Sequence, residues 1–203
     1  MVWFDYMLNR LQQEDVSKIE EYFDLSPGEE QPLSIWVFGR PAAGKTTTSE
    51  LLLDLIRGMG HRVELVDGDA VRTLFDGNLG HSIRDRLTAF HRLIWINRLL
   101  QKQGIVTITA TVAGSRYFRS IARTNLINPR FIYLDCPFDV AAERDKKNLY
   151  KRAIIGEVKH FYGVDLTYEI PLEYEMWIDS ARLNPDEIVG EIMDHLMSTG
   201  ILE

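Results

Sequence analysis

The chain has 203 residues, of which 45% are hydrophobic, and it carries a formal net charge of −7. It is long enough to bury one core with an appendage, and its acidity argues against broad binding to nucleic acids or anionic membranes. Its one cysteine, Cys136, excludes an internal disulfide, and no Cys/His cluster has the spacing of a zinc site. Because it has neither an apolar run that could cross a bilayer nor a basic signal-peptide start, the sequence predicts a soluble cytoplasmic protein.

The N-terminal segment predicts an amphipathic helix followed by a linker. Within residues 1–25, the apolar positions with helical spacing are Leu8, Leu11, Ile19 and Phe23. The turn-rich stretch "SPGEEQP" follows. The helix is expected either to pack against its own domain or a sister subunit, giving a homodimer, or to dock a partner. We place the domain boundary after residue 32 and all of the chemistry in residues 33–203.

The next feature is a phosphate-binding loop at Gly39–Thr46, "GRPAAGKT", which fits the pattern G-x-x-x-x-G-K-S/T. A buried-strand pattern, "LSIWVF", precedes it, and an amphipathic helix, "TTSELLLDLIRGMG", follows. In this order, backbone N–H groups and the helix N-terminus cradle phosphates. Lys45 then reaches the β- and γ-phosphates, and the Thr46 hydroxyl reaches a Mg²⁺ ion. A Gly-rich turn without a ligand is the alternative.

A second strand, within "HRVELVDGD", is expected to end at Asp67 and Asp69. Ligands of open α/β sheets bind beyond the carboxyl ends of the strands, so both carboxylates should lie at the site. One of them then holds Mg²⁺ or accepts a proton from an attacking hydroxyl. The alternative is a "DG" turn that is capped by its own aspartates.

Positive charges accumulate after these aspartates. Arg72 is expected on the first turn of a helix, and the loop "GNLGHS" then leads into a long helix that ends near Gln103. The cationic positions of that long helix are Arg84, Arg86, His91, Arg92 and Arg98. They build either an anion site or a solvated helix face, and Arg72 and Arg86 are the candidates for the anion site.

Three further strands are predicted in "GIVTITATV", "RFIYLDCP" and "EMWIDS". Cys136, at the end of the middle one, is expected to be a small core residue. A basic span before the last strand suits a mobile lid that folds over phosphates, or else a solvated face: Arg144, Lys146, Lys147, Lys151 and Arg152. After the last strand, Asn184 as N-cap and Pro185 at the first helical position start a final helix.

Strands that alternate with helices imply a parallel sheet with right-handed crossovers. From the P-loop to the last helix, the chain resembles the adenylylsulfate (APS) kinases, which transfer the γ-phosphoryl group of ATP to the 3′-hydroxyl of adenosine 5′-phosphosulfate. The matching motifs are "GRPAAGKTT", "DGDAVR", "LGHSIRDR", "RDKKNLYKRA" and "HFYGVDLTYEIP". The resemblance implies an α/β P-loop kinase fold, a three-layer sandwich with a central parallel sheet, helices on both faces and a basic lid. This chain adds an N-terminal helix.

The resemblance also implies roles for individual residues. ATP would be bound by Gly39, Ala42, Ala43, Gly44, Lys45, Thr46, Thr47 and Arg144, and Mg²⁺ by Thr46 and Asp67. The small anionic, nucleotide-like acceptor would be bound by Asp69, Arg72, His81, Arg86, Val112, Lys147, Lys151 and Phe161, the last by stacking on the base. The catalytic residues would be Lys45, Asp67, Asp69 and Lys147. Such a set agrees with the need of phosphoryl transfer for positioning and positive charge.

Most departures from the family's motifs fall on the acceptor side. The "LGF" aromatic is His81, and "DRxxNIRR" reads "DRLTAFHR", with Ala89 and His91 in place of asparagine and arginine. The family's "ISPYR" aligns with "VAGSR", so that Ala113 and Gly114 replace serine and proline, while "KGLY" and "FTG" read "KNLY" and "FYG". These changes favour an alternative within the family, a kinase for another nucleotide such as cytidine diphosphoramidate. A nucleotide-binding module without turnover is the third hypothesis.

Overall fold

The computed structural model describes residues 32–73 and 79–202. Five parallel strands form one sheet in the order β2-β3-β1-β4-β5. The strands are β1 (Ser34–Gly39), β2 (Val63–Asp67), β3 (Val106–Thr111), β4 (Pro129–Asp135) and β5 (Met176–Asp179). All five strands predicted from the sequence are confirmed, and so is the parallel sheet.

Helices alternate with these strands along the chain. Within the described ranges they are α1 (Lys45–Gly58), α2 (Gly68–Thr73), α3 (Ile83–Lys102), α4 (Arg116–Asn125), α5 (Phe138–Arg144), α6 (Leu149–Ile154) and α7 (Pro185–Ser198). None of them has the length and apolar character needed to cross a bilayer. The predicted N-terminal helix lies outside the described residues.

The central strand β1 is buried along its whole length because both of its faces are covered. Successive side chains of a strand point to opposite faces, and here the alternation separates two cores. Ile35 and Val37 pack in the core that includes residues of α1 and α7. Trp36 and Phe38 pack in the other core, with residues of α3 and α4. The result is the three-layer sandwich expected from the sequence.

The strand order places a ligand crevice at the carboxyl ends of the central strands. From β1 the chain crosses to β2 at one edge, returns to β3, and later continues to β4 and β5 on the other side of β1. Such a reversal of strand order opens a crevice between neighbouring loops, which is where ligands of open α/β sheets bind. The segments that follow β1, β2 and β3, loops together with the starts of helices, carry most of the residues predicted to bind ATP and the acceptor.

Local sequence signals predict where the helices begin, with one exception. Asn184 caps α7 in a full capping box with Pro185 at the first helical position, as predicted. Ser82 caps α3 by accepting a bond from the Asp85 N–H. The prediction for Arg72 is wrong in detail: α2 begins directly after β2 and has only 6 residues, so Arg72 lies in its last turn.

Candidate active site

The P-loop has the backbone shape needed to enclose phosphates. At Gly39 a Cβ atom would lie 2.5 Å from the Leu134 carbonyl oxygen, so only glycine lets β1 and β4 approach here. Ala42 and Gly44 have φ angles of 61° and 95°, in the left-handed region that turns the loop back on itself. Gly44 supplies no side-chain cap to α1, and the first turn of α1 contains no acidic residue. The first N–H groups of this 14-residue helix are therefore available to an anion.

Lys45 holds its ammonium group inside the loop. The Nζ atom donates a 2.7 Å hydrogen bond to the Arg40 carbonyl oxygen. Burial lowers the pKa of Lys45 to about 8, although the nearby charges of Asp69 and Asp67 act in the opposite direction. A phosphate chain bound in the loop would provide an anionic partner for this ammonium group.

A cavity of about 520 Å³ opens beside the P-loop and is large enough for a nucleoside. Of the predicted ATP-binding residues, Ala42, Ala43, Gly44, Thr47 and Arg144 line it. Thr48 Oγ1 also lies at this wall and is buried without a hydrogen-bond partner among the described residues. Gly39, Lys45 and Thr46 belong to the same loop, at its two ends.

The residues that form the far wall of this cavity were not predicted from the sequence. It is formed by the segment that follows β5, from Ser180 to Pro185. Arg144, at the end of α5, joins this segment by donating to the carbonyl oxygens of Ser180 at 2.7 Å and Ala181 at 3.3 Å. The available signal was topological, because a segment that follows the carboxyl end of a parallel strand faces the crevice.

Asp67 caps the following helix through one carboxylate oxygen. Its Oδ1 atom accepts the N–H groups of Asp69 at 2.8 Å and Ala70 at 3.0 Å, which caps α2. Both bonds end on one oxygen, which leaves Oδ2 for a cation. One carboxylate, the exposed Thr46 and the oxygens of a bound triphosphate form the kind of donor set that Mg²⁺ takes in kinases, so the residues fit this ion. Asp69 is exposed on the first turn of α2.

Three arginines on the acceptor side bind backbone carbonyl oxygens. Arg72 donates to Gly80 at 2.5 Å, and Arg86 donates to His81 at 3.1 Å and also to His160. Arg119 is 6% exposed and donates to Ala113 at 2.6 Å and to Glu169 at 2.8 Å. Arg119 was not among the predicted site residues, although its place just beyond β3 was a usable signal.

These guanidinium groups differ in their partners from three arginines outside the cleft. Arg123, Arg152 and Arg182 form ion pairs with carboxylates, for example Arg123 with Glu175 at 2.6 Å. None of the arginines of the cleft forms an ion pair with a carboxylate in the described ranges: Arg72, Arg86, Arg119 and Arg144. Their guanidinium groups are thus not paired directly with carboxylates in the described structure, which suits the cleft to anions.

His81 lies close to Arg72 and Arg86. Partial burial lowers the pKa of His81, and the positive charges of these two arginines lower it further. The imidazole is therefore neutral at pH 7 and exposed, which is compatible with stacking on a base. Val112 follows β3 and is half-buried at the same end of the sheet.

The basic segment is held together by Asp145 and tied to the P-loop through Tyr150. Asp145 accepts the backbone N–H groups of Lys147 at 3.0 Å and Tyr150 at 2.8 Å, and the Tyr150 hydroxyl donates to the Pro41 carbonyl at 3.0 Å. Lys147 and Lys151 are exposed. Asn148 has a φ of 53°, a conformation that asparagine tolerates better than most residues, which explains how it stands in place of glycine in "KNLY".

Phe161 packs more deeply than a stacking role alone requires. Its ring is 7% exposed and meets Tyr150 edge-on, with 4.9 Å between centroids. The structure therefore brings Phe161 against α6 and the core, while Lys147 and Lys151 face solvent. Stacking on a base remains a prediction for this residue.

Comparison with known proteins agrees with this geometry. The family model described as adenylylsulphate kinase matches residues 31–179. The adenylyl-sulfate kinase of Deinococcus deserti is 34% identical over 162 residues, which are 80% of this chain and 90% of that protein. A probable adenylyl-sulfate kinase of Archaeoglobus fulgidus is 38% identical over 148 residues, 73% of this chain and 96% of that protein.

Solved structures give the same result. The Mycobacterium tuberculosis APS kinase, solved in complex with AMPPNP and APS, superposes with a TM-score of 0.78 and 26% identity, over 82% of this chain and 98% of that chain. The P-loop, the uncompensated arginines and the parallel sheet are thus found in a chain whose sequence and fold both match these kinases. The chain belongs to the adenylylsulphate kinase family.

Proposed function

We propose that this chain transfers the γ-phosphoryl group of ATP to the 3′-hydroxyl of adenosine 5′-phosphosulfate. The observation that carries the proposal is the set of cleft arginines that bind carbonyl oxygens and no described carboxylate. An acceptor with a phosphosulfate group brings the negative charge that these guanidinium groups lack. The names of the relatives supply the identity of the acceptor.

The donor half of the reaction follows from the P-loop. The N–H groups at the start of α1 and the ammonium of Lys45 bind the phosphate chain, while the base occupies the cavity beside Arg144. Bound Mg²⁺, held by Thr46 and Asp67, would neutralise charge on the phosphates. Lys147 and Lys151, on the exposed basic segment, are available to close over the transferred group.

The acceptor half needs a base, and Asp69 is the better candidate. One oxygen of Asp67 is engaged by two N–H groups, whereas Asp69 is exposed at the start of α2. The 3′-hydroxyl oxygen forms a bond with the γ-phosphorus as the bond from that phosphorus to the β,γ-bridging oxygen breaks. The hydroxyl proton passes to Asp69, and ADP leaves with the electron pair of the broken bond.

A second candidate keeps this chemistry with another acceptor. His81, Ala89, His91, Ala113 and Gly114 are the departures from the family's acceptor motifs, and His81 is exposed between Arg72 and Arg86. A site that changes its hydrogen-bonding groups changes the substrate that it discriminates. A nucleotide such as cytidine diphosphoramidate would still bring its anionic group to the same arginines. Either substrate places the enzyme in the cytoplasm, where ATP and Mg²⁺ are supplied.

Acceptor-dependent ADP formation in arginine variants tests the proposal. We expect Arg86→Ala to lower kcat/KM for APS by about 100-fold, because a charge-assisted contact to an anion is lost. Arg62→Ala is the matched control, since Arg62 also donates to a carbonyl, that of Gln103, but lies before β2, at the amino end of the strand and not at the carboxyl end where the cleft lies. Equal effects of the two substitutions would contradict the proposal.

A further inference from the structure

The side-chain position of Gly114 is filled by another residue. A Cβ atom built on Gly114 would lie 2.5, 2.6 and 2.7 Å from the Cδ1, Cε1 and Cγ atoms of Tyr162. The φ angle of Gly114 is outside the left-handed region, so space and not backbone conformation requires a glycine here. The Tyr162 ring lies directly against the backbone that follows β3, and no larger residue at 114 is compatible with that position.

The Tyr162 ring is held firmly from its other sides. It is 8% exposed, and the Tyr168 ring meets it edge-on with 6.3 Å between centroids. A backbone bond of 2.9 Å from the Glu169 N–H to the Gly114 carbonyl fastens the two segments together. The Tyr162 ring has no free space to move into. A side chain at 114 could therefore be accommodated only by disrupting the packing around this ring.

Arg86 is positioned by the same loop. Its guanidinium carbon lies 4.7 Å from the centroid of the Tyr162 ring, and one of its NH groups donates to the His160 carbonyl. A further bond, at 3.1 Å, runs to the His81 carbonyl. The loop is itself pinned, since Asp165 accepts the N–H groups of His160 at 2.6 Å and Phe161 at 2.5 Å. Movement of the Tyr162 ring would therefore move the cation that faces the acceptor.

We propose that Gly114 and Tyr162 form an interlocked pair that positions Arg86 for the anionic group of the acceptor. This inference rests on the proposed function, and it makes Tyr162 a positioning residue that acts through Arg86. It also links two departures from the family's motifs: a proline in place of Gly114 could not coexist with the Tyr162 ring, so the change from threonine to tyrosine requires the change to glycine.

A double-mutant cycle tests the steric interlock without any substrate. Gly114→Ala is expected to lower Tm by about 4 °C in the wild-type background and by less than about 1 °C in a Tyr162→Thr background. Gly190→Ala is the matched control, because Gly190 lies within α7 with no atom within 4 Å of its Cβ position. An equal loss of Tm from Gly114→Ala in both backgrounds would overturn the interlock.

Steady-state kinetics test the positioning role. Gly114→Ala should raise KM for APS about tenfold while KM for ATP changes less than about twofold, and adding Tyr162→Thr should reverse part of the increase. If Gly114→Ala lowered Tm but left KM for APS unchanged, the contact between Gly114 and Tyr162 would be purely structural, and the positioning role would be overturned. A wild-type protein that phosphorylates no APS would instead refute the proposed function, and the melting cycle would still decide the interlock.

Discussion

The low pKa of Lys45 predicts that ATP binding consumes protons in a defined pH window. In the ligand-free protein burial brings this pKa to about 8, against an ordinary value of 10.5. A bound triphosphate surrounds the ammonium with negative charge, which keeps it protonated well above pH 8. The protein must then take up the missing fraction of a proton each time ATP binds.

The magnitude follows from the titration of one group. At pH 7, 8 and 9 the free protein lacks about 0.1, 0.5 and 0.9 of a proton at Lys45, and binding takes up these amounts. The association constant for ATP should fall about twofold at pH 8 and about elevenfold at pH 9, relative to its plateau at lower pH. The terminal phosphate of ATP does not interfere, because its last proton is lost at about pH 6.

Isothermal titration calorimetry in buffers of different ionisation enthalpy measures this uptake directly. Lys45→Arg is the control, because a guanidinium does not titrate in this range and should bind ATP without proton uptake. If wild type and Lys45→Arg took up the same number of protons at pH 8, the assignment to Lys45 would be refuted.

Further predictions concern the loop, the carboxylates and the last helix. Ala42→Gly should raise Tm by about 3 °C, because it removes about 1–2 kcal/mol of left-handed strain at a smaller entropic cost, and a lower Tm would contradict this. Asp69→Asn should lower kcat by about 10²-fold or more with KM for ATP unchanged. Asp67→Asn should instead raise the Mg²⁺ concentration needed for activity. If both variants showed the same kcat and the same Mg²⁺ dependence, the assignment of Asp69 as base and Asp67 as metal ligand would be rejected. Asn184→Ala should cost about 1 kcal/mol in the free energy of unfolding, measured by urea denaturation, and no loss would argue against the observed capping box.

The pH dependence of stability that Lys45 contributes carries the opposite sign to that of a salt-bridged lysine, whose pKa folding raises. Folding lowers the pKa of Lys45 to about 8, so between pH 8 and 10.5 the unfolded chain binds the proton that the native protein has lost. Stability contributed by this group therefore rises with pH across that window, and below pH 8 its burial is a constant cost. Chemical denaturation of the ligand-free protein at pH 8 and pH 10, compared with Lys45→Met, should reveal the difference.

The fold could be predicted from the sequence because its signals are local. The β-branched runs, the glycine-lysine loop and the Asn184 cap each determine structure within a few residues. The same holds for the positions of Lys45, Thr46 and Asp67, which follow from their distance along the chain to a strand end. Alternation of strands and helices then leaves few topologies.

What the sequence did not reveal depends on contacts between distant segments. The wall after Ser180 is held by a bond to Arg144, 36 residues away, and the buried Arg119 by a bond to Glu169, 50 residues away. Phe161, which the resemblance assigns to stacking on the acceptor's base, packs on Tyr150. No periodicity encodes such contacts, because hydrophobic patterning identifies which face of an element is buried and not what covers it.

The most direct test of the account is the acceptor itself. Purified protein with Mg²⁺ and ATP should release ADP in proportion to added APS and form the 3′-phosphorylated product, with kcat/KM for APS above that for cytidine diphosphoramidate and other nucleotides. Lys45→Ala should abolish the release. Turnover of another nucleotide in preference to APS, or ADP release that is independent of every acceptor, would contradict the proposed function.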